Sequence, residues 1–132
     1  MSSALQDEAL SKLLWRIPGL TAVLVSSDTG APLARAVKPS ADPGAQPLHN
    51  SAAETSFAAV LQVAADQAEK LRFGELKTAT SFYAGAALVH VNFFPLVVTL
   101  VGDATCNVGA MQAAVGPLKA ALEPMREALQ EQ

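Results

Sequence analysis

The sequence predicts an α/β chain of the α+β type: a five-stranded antiparallel sheet flanked by helices, in the order αββαβββα. Three observations predict it. Apolar residues recur at helical spacing in the N-terminal, central and C-terminal parts of the chain. Between them lie β-rich runs bounded by Gly, Pro and Asp. The connections between successive strands are too short for crossovers, so the neighbours must be antiparallel.

The first helix is expected over residues 4–16, where Leu10, Leu13 and Leu14 keep the helical period and Pro18-Gly19 ends it. Residues 21–27 (TAVLVSS) and 31–37 read as two strands around the turn Asp28-Thr29-Gly30. Pro32 argues that the second strand lies at a sheet edge, where a missing amide costs no ladder bond. Residues 38–50 hold Pro39, Pro43, Gly44 and Pro47 and read as a mobile loop.

Ser51 and Glu54 fit a capping box, each satisfying an amide of the first turn. Behind them Phe57, Val60, Leu61, Ala64, Ala68 and Leu71 form one apolar stripe. A second helix over residues 51–72 follows, with Gly74 close to its C-cap. Three strands are then expected at 77–83, 86–93 and 96–101, broken at Ala84-Gly85 and Pro95. LVVTLV in the last of them is apolar on both sides of its alternation, so both faces of the sheet should be covered. Asn107 is a plausible N-cap for a final helix whose seam is Met111, Val115, Leu118, Leu122, Met125 and Leu129. Pro117 and Pro124 lie inside it and should kink or segment it, at about 3 kcal/mol or more each.

With 132 residues, the chain is expected to be one domain spanning 1–132. Hydrophobic residues make up 51% and charged residues 16%, which excludes a disordered chain. So little polar surface suggests that a partner covers part of the apolar surface. The net charge is −3 with no basic run, so no nucleic-acid partner is expected. A single Cys, Cys106, cannot form an internal disulfide. The N-terminus carries no signal-peptide pattern, Ser2 rather than Gly follows Met1, and no prenylation box is present.

No catalytic or metal motif stands out: there is no P-loop, G-x-G-x-x-G, H-E-x-x-H or G-x-S-x-G. No enzymatic activity, cofactor or metal is expected. His90 lies mid-strand and reads as structural, and His49 as solvated. Cys106 reads as an inert thiol, because no His or Lys stands beside it in sequence. Asp66 and Glu69 read as solvated or interface carboxylates. Trp15 falls off the first helix's stripe, as a rim residue or a partner anchor. An enzyme reading would need His90, Cys106 and a carboxylate gathered within hydrogen-bond reach.

Three stretches carry a resemblance. They are Gly19-Leu20-Thr21-Ala22-Val23-Leu24-Val25-Ser26 with Asp28-x-Gly30-x-Pro32; Ala65-Asp66-Gln67-Ala68-Glu69-Lys70-Leu71; and Asn92-Phe93-Phe94-Pro95-Leu96-Val97-Val98-Thr99 followed by Asn107-Val108-Gly109. Together they resemble the MAPK-scaffold family of the Ragulator (LAMTOR) complex, within the roadblock/dynein-light-chain superfamily. The resemblance runs in consistent order from Leu13 to Gly109. Pro117, Gly116 and the residues of the 38–50 stretch depart from it.

The resemblance implies a non-catalytic adaptor that pairs with a second roadblock-fold subunit. It implies docking of Rag-type GTPases and MAPK-pathway kinases at the cytoplasmic face of late endosomes and lysosomes, in MAPK and TOR signalling. With no lipid signal in this chain, a lipidated partner would supply the membrane anchor. A roadblock-type dynein light chain, or a regulator of a small GTPase, is the alternative with the same fold. Meander connectivity puts the third strand at a sheet edge, and an unguarded edge recruits another strand. The expected interface is Thr78, Thr80 and Phe82 on that strand with Phe57, Val60, Leu61, Ala64 and Ala68 on the second helix. Small Ala58 and Ala65 would permit close approach. The alternative is that the helix stripe packs only on its own sheet, although a helix can serve both the sheet and a partner. Phe57→Asp or Val60→Asp is expected to abolish pairing by burying an unpaired charge.

Overall fold

Helix α1 (Ala4–Arg16) leads into strands β1 (Leu20–Ser27) and β2 (Pro32–Val37), then helix α2 (Ser51–Glu69). Strands β3 (Thr78–Phe82), β4 (Ala86–Phe93) and β5 (Leu96–Asp103) follow, and helices α3 (Val108–Ala113) and α4 (Val115–Gln130) close the chain. The structure, a computed structural model, describes residues 4–39 and 51–131. Most of the Pro-rich stretch 38–50 and the side chains of the Ser51/Glu54 capping box lie outside the described residues.

The five strands form one sheet in the order β2-β1-β5-β4-β3, with every neighbouring pair antiparallel. β2 is an edge strand and Pro32 is its first residue, as the sequence requires. The β1–β2 turn is closed by Gly30 N–H donating to Ser27 O at 3.0 Å, with Gly30 at φ +94°. β4 and β5 are joined at Phe94-Pro95 through a cis peptide bond.

Alternation sorts the sheet into two covered faces. On one, Val23, Val89, Val91 and Leu100 pack beneath α1, α3 and α4, represented by Leu10, Leu14, Met111 and Leu122. Burying each such side chain contributes roughly 1.5–3 kcal/mol. On the other face, Ala22, Leu24, Leu88 and Val101 meet Phe57 of α2, and Val97 meets Ala58 and Leu61. β5 sits centrally between the two layers, which is why its residues are apolar at every position from Leu96 to Val101 apart from Thr99.

Two expectations need correction. The second helix ends at Glu69, not near Arg72. Lys70, Leu71 and Arg72 continue as tight turns, their amides donating to Gln67, Ala68 and Glu69 carbonyls, and Arg72 takes a left-handed φ of 60°. Leu71 consequently leaves the apolar stripe and is exposed. The last helix is segmented as expected, into α3 and α4 at Ala114, because Pro117 has no amide to offer the Ala113 carbonyl and its ring crowds it. Pro117 falls in the first turn of α4, where a helix needs no amide, while Pro124 lies inside α4. The Met111–Leu118–Leu122–Met125 seam stays buried across the break.

Candidate functional site

The hydrogen-bond parity of β3 decides what its free edge offers. Tyr83 N–H donates to Ala86 O at 2.8 Å, and Asn92 N–H donates to Lys77 O at 2.8 Å. The register runs from Thr78↔Val91 to Phe82↔Ala87. Alternation therefore turns the backbone groups of Lys77, Ala79, Ser81 and Tyr83 toward β4. The amides and carbonyls of Thr78, Thr80 and Phe82 point the other way, where no strand lies beyond them among the described residues.

The side chains follow the opposite logic. Thr78 and Thr80 stand across from Val91 and Val89, on the face that carries α3 and α4. Gln112 Nε2 of α3 donates to Thr80 Oγ1 at 3.2 Å. Ala79 and Ser81, across from His90 and Leu88, face α2. The Ser81 Oγ is buried with no hydrogen-bond partner among the described residues. Phe82 is 73% exposed and its neighbour Tyr83 is also exposed. No residue of β3 is charged.

Along α2 the predicted stripe splits. Ala58 and Leu61 are buried on Val97, beside Leu76 and Ala79, which is the side toward β3. Phe57 turns instead toward β1 and β2, lining a small cavity with Leu24, Ala34 and Arg35. Its ring centroid lies 5.5 Å from that of His90. Val60 is 48% exposed and Val63 61%, so these two form an apolar ridge turned outward. Ala64, Ala65 and Ala68 are half-buried. Val63 and Tyr83 were not among the expected residues. The signal for Val63 was its place three residues after Val60, on the same helical flank.

The remaining chemistry-bearing groups do not converge. His90 is buried, with Nδ1 3.1 Å from Thr99 Oγ1, and burial lowers its pKa. Burial raises the Cys106 thiol, and the nearby Asp103 carboxylate raises it further. Asp103 itself is held low, chiefly by the Thr105 hydroxyl that donates to it at 2.6 Å. His90 faces α2, whereas Cys106 packs with the α1–α3–α4 core, so the sheet separates them. Asp66 and Glu69 are exposed on α2. Trp15 is 63% exposed, with Lys38 Nζ 5.2 Å from its ring centroid. Among the described residues no group of His, Cys, Asp and Glu could hold a metal ion, and no helix is long and apolar enough to cross a membrane.

This architecture is that of roadblock/LC7 proteins. The chain superimposes on the gliding protein MglB of Thermus thermophilus with a TM-score of 0.80 at 19% identity, covering 97% of this chain and 95% of that one. A roadblock/LC7 domain from Streptomyces avermitilis gives a TM-score of 0.67 at 14% identity over 90% and 95% of the two chains. At these identities the likeness is one of fold. Sequence carries the assignment further. Residues 5–129 match the family described as mitogen-activated protein kinase kinase 1 interacting, and the chain belongs to it. It is 33% identical over 104 residues to the Ragulator complex protein LAMTOR3 homolog of Drosophila melanogaster, covering 79% of this chain and 78% of that protein. It is 31% identical over 100 residues to Ragulator complex protein LAMTOR3 of Mus musculus, covering 76% and 75%.

Proposed function

We propose that this chain is a non-catalytic scaffold subunit, a single roadblock domain over residues 1–132 that pairs with a second roadblock-fold subunit. The pair docks Rag-type GTPases and MAPK-pathway kinases at the cytoplasmic face of late endosomes and lysosomes, for MAPK and TOR signalling. A lipidated partner supplies the membrane anchor, and neither cofactor nor nucleic acid takes part. Its mechanism is raised local concentration and fixed orientation of the docked proteins.

The observation that carries the reading is the edge of β3: an uncharged strand whose Thr78, Thr80 and Phe82 backbone groups point outward. A partner strand laid against it would extend the sheet, with Ala58, Leu61, Ala64, Ala65 and Ala68 of α2 beside the seam. The non-catalytic assignment is supported by the separation of His90 from Cys106 by the sheet. Affinity purification of the tagged chain from its native cells, with mass spectrometry of bound proteins, tests the proposal. Recovery of a second roadblock-fold subunit with lysosomal GTPases supports it. Recovery of dynein components, or of no stoichiometric partner, overturns it.

A further inference from the structure

We infer that the groove between the flank of α2 and the turn joining β4 to β5 holds an arginine from an extended segment of a protein partner. The groove is separate from the pairing edge, since no residue of β3 lines it.

Its floor is apolar and its ends are acidic. Leu61 and Ala65 of α2 and Val97 of β5 form the floor, and Phe94, 59% exposed, stands at the side. Asp28, in the β1–β2 turn, and Glu75, between α2 and β3, each bring a carboxylate. Backbone bonds hold both in place. Asp28 N–H donates to Pro95 O at 2.9 Å, which ties its turn to the one that carries Phe94. Asn92 Nδ2 donates to Leu76 O at 2.8 Å and fastens the residue after Glu75 to β4. The groove is therefore formed in the free chain, so little ordering is needed on binding.

Volume and charge together select the occupant. The cavity is about 180 Å³. That is below the roughly 300 Å³ at which small-molecule sites begin, and it suits a single side chain. Among the described residues neither carboxylate is in an ion pair. An anion is repelled by both and a neutral group leaves both unanswered, whereas a cation gains from each. The apolar floor suits a long methylene stem. The Phe94 ring attracts a cation over its face, and a planar guanidinium can also stack on it, which an ammonium cannot. Arginine meets all three demands. The groove shares Ala65 and Glu75 with a wider depression, where Lys70 and Arg72 stand beside Asp66 and Glu69. Charge of both signs there gives the rest of the segment no preferred sign, so recognition centres on the one arginine.

The test is titration of the isotope-labelled full chain with a blocked pentapeptide that has arginine at its centre among alanine and leucine, followed by amide chemical shifts. Saturable shifts are expected at Asp28, Leu61, Ala65, Glu75 and Phe94. Citrulline in place of the arginine is neutral and of similar shape, and should bind about tenfold more weakly. Glu75→Gln and Phe94→Ala alter exposed side chains, and each should weaken binding about two- to fivefold. Added salt should weaken it as well. No saturable shift, shifts only outside the groove, or equal binding of the citrulline peptide overturns the inference. Groove shifts on diluting the chain alone would show that a second copy fills the groove, and would overturn its assignment to a partner.

Discussion

His90 Nδ1 lies 3.1 Å from Thr99 Oγ1, across the rung of the β4–β5 ladder that pairs the two residues. Both side chains are buried on the α2 face of the sheet, and the Phe57 ring covers the imidazole. Burial disfavours the charged ring and lowers its pKa from 6.5. A histidine with a lowered folded pKa binds fewer protons folded than unfolded. Its contribution is therefore complete above about 6.5 and is lost as pH falls through the unfolded pKa toward the folded one. Urea midpoints should decline from about pH 7 toward about pH 5, and His90→Gln should flatten that decline. An unchanged slope in His90→Gln would assign the pH dependence to other groups.

Thr99→Val removes the hydroxyl that meets His90 and leaves a buried ring nitrogen unpaired. The expected loss of stability is about 1–3 kcal/mol, read from chemical denaturation. A loss below a few tenths would mean that the imidazole finds another partner.

Leu61 and Phe82 separate fold from surface. Leu61→Ala opens a cavity under α2 and should cost about 2–5 kcal/mol. Phe82→Asp alters a side chain that is mostly in solvent, so stability should stay within about 0.5 kcal/mol of the parent. Recovery of the partner subunit should nevertheless be lost in Phe82→Asp. Phe57→Asp is a poorer probe than the sequence suggests. Phe57 packs on Leu24, Leu88 and Val101, so that change threatens the fold itself.

Gly19 has φ +87°, and a Cβ there would sit 2.8 Å from the Cys106 Cα. Gly19→Ala should cost at least about 1–2 kcal/mol from backbone conformation alone. Gly85, where a Cβ meets nothing within 4 Å, is the control, and Gly85→Ala should be near neutral. Thermal unfolding of the two variants side by side checks the pair.

Cys106 should react slowly with a thiol reagent at neutral pH, because its pKa is raised and only the thiolate attacks. Denaturant should speed the reaction several-fold. Equal rates folded and unfolded would show that the thiol is activated or freely open in the native chain.

The fold was legible wherever pattern and termination agreed. The bounds of α1 and β4 came directly from the Leu10–Leu14 spacing, Pro18, and the Gly85 and Pro95 breaks. Asn107 caps α3 as its residue type predicts, its Oδ1 accepting from Ala110 N–H at 3.1 Å. Errors arose where tertiary contact overrode local signal. β5 runs to Asp103 because Gly102 and Asp103 are held by pairing with Leu20 and Ala86, a long-range effect. The Ala114 break, by contrast, lies where Pro117 puts it, since proline cannot bond the carbonyl four residues back and α3 ends at Ala113. For the candidate site, meander connectivity and the family resemblance pointed to Thr78, Thr80 and Phe82, whose backbones the register turns outward, while α2 was left to helical periodicity. It could not tell Phe57, which turns toward β1 and β2, from Val60, which turns outward, because a helical wheel does not say where the sheet ends.

The most direct test of the account is a Thr80→Pro exchange in the tagged chain, followed by purification from cells. The Thr80 amide points away from β4, so its loss removes no internal ladder bond, and proline is tolerated at such an edge position. The account predicts a chain that folds with an unchanged circular dichroism spectrum but recovers no second roadblock subunit. Undiminished recovery of that subunit by a folded Thr80→Pro chain would contradict it.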